Sequence, residues 1–140
     1  MIRKLNRWIM NAIKQYQAVN TQSSVMDVDK HRLIQLLYDG ALERINMAKA
    51  QIRANNFEGK NRLITRAIDI VAGVRSFLDL EKGQDIAQNL FDLYVYCEHR
   101  LHEANLKNDI EILDEVASHL KKVQEAWSGI RQEALDNGLV

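Results

Sequence analysis

The sequence predicts an all-α protein, an antiparallel up-down four-helix bundle with a short N-terminal helical arm. Three observations carry this expectation. The 140 residues include no proline, the residue that helix interiors exclude most strongly. The chain is rich in Leu, Ala, Gln, Lys and Glu, which favour helix. Apolar residues recur every three or four positions along extended segments that are separated only by brief polar breaks, the signature of amphipathic helices.

The first segment, 2–18, sets Ile2, Leu5, Ile9, Ile13 and Tyr16 on one side at helical spacing. The run Asn20-Thr21-Gln22-Ser23-Ser24 ends it and reads as a linker. The next helix is expected to start with Asp27 or Asp29 as its N-cap. Its inward stripe is Ile34, Leu37, Ala41, Ile45, Ala48 and Ile52. Asn55-Asn56 closes it, and Asn55 with Glu58 has capping-box spacing for the following helix. That helix carries Ile64, Ala67, Ile68, Val71, Val74 and Leu78, and Glu81-Lys82-Gly83 is its expected stop, with Gly83 taking the left-handed conformation.

The third bundle helix is expected over 84–106, with Ile86, Leu90, Leu93, Cys97, Leu101 and Ala104 inward. Asn108 and Glu111 again have capping-box spacing. The fourth helix has the most regular pattern, a heptad seam of Leu113, Val116, Leu120, Val123, Trp127, Ile130 and Ala134. Long helices joined by such short turns run antiparallel to their sequence neighbours. The resulting organisation is an arm and linker over 1–24, a bundle over 25–136 and a tail over 137–140.

Composition narrows the function classes. Lys+Arg and Asp+Glu balance at 19 each, so no net field recruits nucleic acid. Cys97 is the single cysteine, which excludes an internal disulfide and suits a reducing cytosol. The leader Met1–Met10 starts basic, but Asn6, Arg7, Asn11 and Lys14 interrupt any apolar run, unlike a signal peptide. Its Trp8 and cations would suit a membrane surface, yet the segment is short and Asn-rich. No window is apolar enough to span a bilayer, so the chain is read as soluble and cytoplasmic.

Candidate chemistry is sparse. Glu98 and His102, and Glu115 and His119, lie one turn apart. A di-metal bundle needs Glu and His three apart and facing inward, whereas these are four apart and flank the stripes. They read as surface pairs. Cys97 reads as a small apolar filler. No glycine-rich phosphate loop occurs, so no enzyme activity, metal or cofactor is expected. Gly40, Gly73 and Gly129 stand inside helices, where each costs about 1 kcal/mol relative to alanine, and close approach of a neighbouring or incoming helix would offset that cost. Apolar residues off the main stripes, including Leu33, Leu36, Ile70, Phe77, Phe91, Tyr94 and Tyr96, point to a groove for amphipathic helices of a partner.

The blocks Ala12-Ile13-Lys14-Gln15-Tyr16, His31 to Ala41, Arg66 to Ile70, Leu78 to Gly83 with Ile86-Ala87 and Asn89-Leu90, Leu93-Tyr94 with Tyr96, Ala104 to Asp109 and Glu125-Ala126-Trp127 occur in this order. Together they resemble the flagellar secretion chaperones of bacteria, the FliS family, from about Met10 to Ile130. Two departures fall inside this region. Asp29-Lys30 stands where the family has Ser-Pro, and Gln84 where it has a second glycine; residues before Met10 lie outside the pattern.

The resemblance implies a cytoplasmic chaperone that holds the disordered C-terminal segment of flagellin, prevents premature polymerisation and delivers it to the flagellar type III export gate. It also implies that Ile13 and Tyr16 belong to an element contacting cargo and gate. Off-stripe position adds Leu36, Tyr38, Ile70, Phe77, Tyr94 and Tyr96 as groove candidates, with Tyr94→Ala expected to weaken cargo binding more than folding. The rival readings are a generic helical adaptor for another amphipathic helix and a metal-binding bundle enzyme.

Overall fold

A computed structural model describes residues 23–129, with side chains described over 30–128. The arm over 2–18, including Ile13 and Tyr16, together with Ile130, Ala134 and the tail, lies outside the described residues. Four helices follow one another: α1 Ser23–Arg53, α2 Phe57–Ser76, α3 Leu80–Lys107 and α4 Ile110–Gly129. Helix α1 packs on α2 and α4, and α3 packs on the same two, so the helices close into a ring with α1 and α3 on the diagonal. Short turns and this ring make the antiparallel four-helix bundle that the periodicity predicts.

The inward stripes meet in one core. Leu37 and Ile45 of α1, Ile64 of α2, Cys97 and Leu101 of α3, and Leu113 and Val116 of α4 are wholly inaccessible. Each such aliphatic side chain contributes roughly 1.5–3 kcal/mol by leaving water. Polar ties then fix the ring. Lys49 Nζ reaches Asp114 at 2.7 Å between α1 and α4. Arg75 grips Glu98 with Nε and Nη2 at 2.8 and 3.2 Å between α2 and α3, while its guanidinium lies 5.2 Å from the Phe91 ring centre. Lys60 is buried along its stem and donates to the Asn105 carbonyl at 2.8 Å, a cation at the carbonyl end of α3.

One reciprocal lock joins the first part of α1 to the end of α4. The rings of His31 and Trp127 stack at 4.6 Å and 11°. His31 Nε2–H donates to the Trp127 carbonyl at 2.9 Å, and Trp127 Nε1–H donates to the His31 carbonyl at 3.2 Å. The carbonyl can only accept, so the lock fixes the hydrogen on Nε2.

The two tightest turns use the same device, one residue out of step with the sequence expectation. Asn55 takes a left-handed φ of 58° and closes α1, with Asn56 N–H bonded to Gln51 O at 2.9 Å. The cap of α2 is then Asn56, whose side chain accepts from Gly59 N–H at 3.1 Å. Between α3 and α4, Asn108 is left-handed at 52° and Asp109 caps, its Oδ1 accepting from Glu111 and Ile112 N–H at 2.9 and 3.2 Å. Each turn spends its first polar residue closing one helix and its second opening the next.

Four further expectations are corrected. Helix α1 is already running at Ser23, ahead of Asp27 and Asp29, because Ser24, Val25 and Met26 contain no breaker; neither aspartate is the cap. Helix α2 ends at Ser76, and Asp79 caps the next turn by accepting from Lys82 N–H at 2.9 Å. The left-handed residue there is Gln84, not Gly83, with φ 48° and ψ −126° at a kink inside α3. Past that kink the seam of α3 is Ala87, Tyr94, Cys97, Leu101 and Ala104, and Ile86 is turned out at 59 % exposure.

Candidate functional site

Six described residues carry the partner-binding expectation, and they separate into an inner and an outer group. Tyr38, Ile70 and Tyr94 are inside, in a common layer with Leu37, Val71, Val74 and Leu120. Tyr38 and Tyr94 cross the diagonal from α1 to α3 and hydrogen-bond through their hydroxyls, with ring centres 6.3 Å apart. Burial pushes the Tyr38 phenol far above its ordinary range, reinforced by Tyr94 beside it. Tyr94 is pushed up to about 12, again by burial first. As surface residues these three are a correction: the inward arc of α1 is broad enough to include Tyr38, and the seam of α3 takes Tyr94 in place of Leu93.

A Cβ placed on Gly40 would lie 3.3 Å from Arg44 Nη1, the end of a flexible side chain, and 3.7 Å from Ile70 Cδ1, an ordinary contact, so packing against Ile70 does not require glycine there. At Gly59, by contrast, a Cβ would come within 2.9 Å of Asn56 Nδ2 and disturb the cap.

The outer group does not form one groove. Leu36 and Tyr96 are each 44 % exposed, but α1 and α3 are not neighbours, and Tyr96 stands on the α3–α4 edge. Phe77, at the end of α2, is partly buried against the core. Tyr96 is held in a polar cluster. Its hydroxyl donates to Glu115 Oε2 at 2.5 Å, and Arg100 donates through Nε and Nη2 to Glu115 Oε1 at 2.9 and 2.7 Å. His119 lies 3.2 Å from Glu115 Oε2 and meets the Tyr96 ring edge-on at 5.9 Å. The Tyr96 hydroxyl and then Arg100 hold the Glu115 carboxyl down at about 2.

The carboxylates singled out as metal candidates are thus occupied by Arg75, Arg100 and Tyr96. Cys97 is enclosed, and burial pushes its thiol up to about 12, which leaves no thiolate at neutral pH. The described surface carries a scattered set of exposed large apolar side chains. Besides Leu36 and Tyr96, it includes Met47, Phe57, Leu80, Ile86 and Leu106. Sequence reading missed these as exposed. Met47 is detectable as an apolar residue opposite the α1 stripe, whereas Ile86 was hidden by the seam shift. Between α1 and α4 there is also an open groove of about 430 Å³ with Leu42, Ile45 and Ala117 beneath and Lys49, Lys121 and Gln124 at the rim. No helix among the described residues is long and apolar enough to cross a membrane.

Comparison with known proteins places this bundle in a family. The family model described as flagellar protein FliS matches residues 12–134. The flagellar secretion chaperone FliSB of Pseudomonas aeruginosa is 45 % identical over 123 residues, covering 88 % of this chain and 98 % of the relative. The flagellar secretion chaperone FliS of Salmonella typhimurium is 38 % identical over 125 residues, covering 89 % and 93 %. That of Bacillus subtilis is 30 % identical over 129 residues, covering 91 % and 92 %. The match runs across nearly the whole length of both partners, and this chain belongs to the FliS family of flagellar secretion chaperones.

Proposed function

We propose that the chain binds the disordered C-terminal segment of flagellin in the cytosol, keeps it from assembling early and hands it to the flagellar export gate. The observation that supports this reading is the distribution of exposed apolar side chains over several edges of a bundle whose own core is complete, from Leu36 and Met47 on α1 to Ile86 and Leu106 on α3. A folded helix from a partner would cover one edge. A disordered segment can wrap, ordering as short helices against successive faces, and the ordering cost keeps the affinity moderate and reversible. Release at the gate requires that reversibility.

Leu36, Tyr96 and Phe77 are the described residues assigned to this contact. Ile13 and Tyr16 of the arm are assigned to it by family resemblance. Tyr38, Ile70 and Tyr94 would act from beneath, by fixing the helices that carry the outer residues. The function needs no catalytic group, metal or cofactor. Substituting Leu36 and Tyr96 together with serine and titrating with the flagellin segment tests the assignment: the expected result is at least a tenfold loss of affinity with the fold intact, and unchanged affinity removes both residues from the contact.

A further inference from the structure

Helices α1 and α4 are tied across their shared edge, and the ties skip its middle. Gln35 Nε2 donates to Ser128 Oγ at 2.7 Å, Gln124 Nε2 donates to Asp39 Oδ1, and Lys49 Nζ donates to Asp114 Oδ1 at 2.7 Å. Between the last two ties the edge opens into the groove of about 430 Å³, with Gln124 and Lys49 among its lining. Its floor is Leu42 and Ala117 over the wholly buried Ile45, and a methyl group at 117 is too small to fill the seam. The rest of the lining is Glu43 and Asn46 on α1 and Lys121 on α4. Among the described residues, these three make no hydrogen bond or ion pair. A carboxylate and an ammonium thus stand unpaired at one groove, one on each helix.

We propose that this groove seats one helical stretch of the flagellin segment, with an apolar side chain between Leu42 and Ala117, a basic side chain toward Glu43 and an acidic one toward Lys121. This rests on the proposed flagellin contact and deepens it by naming one seat and the chemistry of its occupant. The Asp39 and Lys49 ties stand about ten residues apart on α1, roughly 15 Å or about three turns of helix. A helix of that length presents apolar anchors one turn apart on a single face, which suits an apolar floor between two walls. The floor alone would accept an apolar segment in either direction. The two rim charges select one, because the reversed occupant sets like charges against each other. Exposed pairs of this kind contribute orientation and encounter rate more than affinity, so the larger share of the binding falls to the anchor in the groove.

Two variants of the full chain, titrated with the C-terminal segment of flagellin, test the seat. Asn46→Trp starts from an exposed position and lays an indole over the groove without entering the core. It is expected to weaken binding by about tenfold or more with the urea midpoint unchanged. Lys121→Glu is expected to weaken binding by about threefold at low salt, and the difference from the wild type should shrink at high salt, where rim charges are screened. Wild-type affinity in Asn46→Trp overturns the seat, and wild-type affinity in Lys121→Glu at low salt overturns the placement of the acidic side chain. A free protein that self-associates by sedimentation, and ceases to do so as Asn46→Trp, gives the groove to a second copy and also overturns the proposal. If the wild type leaves the flagellin segment unbound, the proposed function itself fails; if wild type and both variants bind alike, only the groove assignment does.

Discussion

Removing one hydroxyl from the Tyr38–Tyr94 pair should cost more than removing both. The two rings cross the core from α1 to α3, both are about 2 % exposed, and each hydroxyl has the other as its partner. Tyr94→Phe deletes one partner and leaves the Tyr38 hydroxyl buried among Leu37, Ile70, Val74 and Leu120. A stranded buried polar group costs about 1–3 kcal/mol. Tyr38→Phe strands the Tyr94 hydroxyl at a similar cost. The double variant strands neither and should lie within about 1 kcal/mol of the wild type, because replacing both partners by apolar groups of the same shape is close to neutral. Tyr94→Ala removes a whole buried ring and should cost about 3–5 kcal/mol. Its effect on folding then dominates, the reverse of what its off-stripe position suggests. Urea unfolding measures all four variants: with a slope near 1–3 kcal/mol/M, each single Phe variant shifts the midpoint by about 1 M. A double variant that loses the sum of the two single losses would refute the pairing.

Alkaline pH should destabilise the fold early. Tyr94 and Cys97 are each pushed up to about 12 from ordinary values of 10.0 and 9.0, so the unfolded chain gives up these protons first. Their contribution is intact below pH 9 and is lost as pH rises toward 12, which thermal melts between pH 8 and 11 will register as a falling midpoint. At the acid end Glu115, held at about 2 against an ordinary 4.5, contributes above pH 4.5 and loses that contribution as pH falls toward 2. Because its side chain is 31 % exposed, the contribution is screened, and the sharper readout is its own titration by NMR. Tyr96→Phe should move that titration upward, whereas an unmoved value would mean that Arg100 alone sets it. Asp109→Ala should cost about 1 kcal/mol as loss of a helix cap, and Asn108→Gly should cost less or stabilise; equal losses in chemical denaturation would contradict the division of roles in that turn.

Periodicity made the four helices legible because apolar recurrence reports directly on burial. Leu37, Ile45, Ile64, Leu101, Leu113 and Leu120 all stand where their spacing puts them. The α3 seam was less legible. Hydrophobic weight favours Ile86 and Leu93, yet the core takes Ala87 and Tyr94, one position on. A small residue and a hydroxyl-bearing ring pack there because Tyr38 faces Tyr94 across the diagonal, a contact 56 positions away in sequence. The caps failed by one residue for a local reason: in Asn55-Asn56 and Asn108-Asp109 either residue can cap, and only the chain direction decides which one is left-handed. The bare surface was visible at Leu36 and Tyr96, whereas Leu106, at 84 % exposure, gave no sign because its position in α3 is that of any terminal apolar residue.

The proposed function requires that this bundle hold flagellin. Calorimetric titration of the full chain with the C-terminal segment of flagellin from the same cell tests that most directly. The predicted result is saturable binding near one-to-one, with the segment gaining helicity by circular dichroism as it binds. A folded helical protein that leaves the segment unbound and disordered would contradict the flagellin assignment and point to an adaptor with a different amphipathic client.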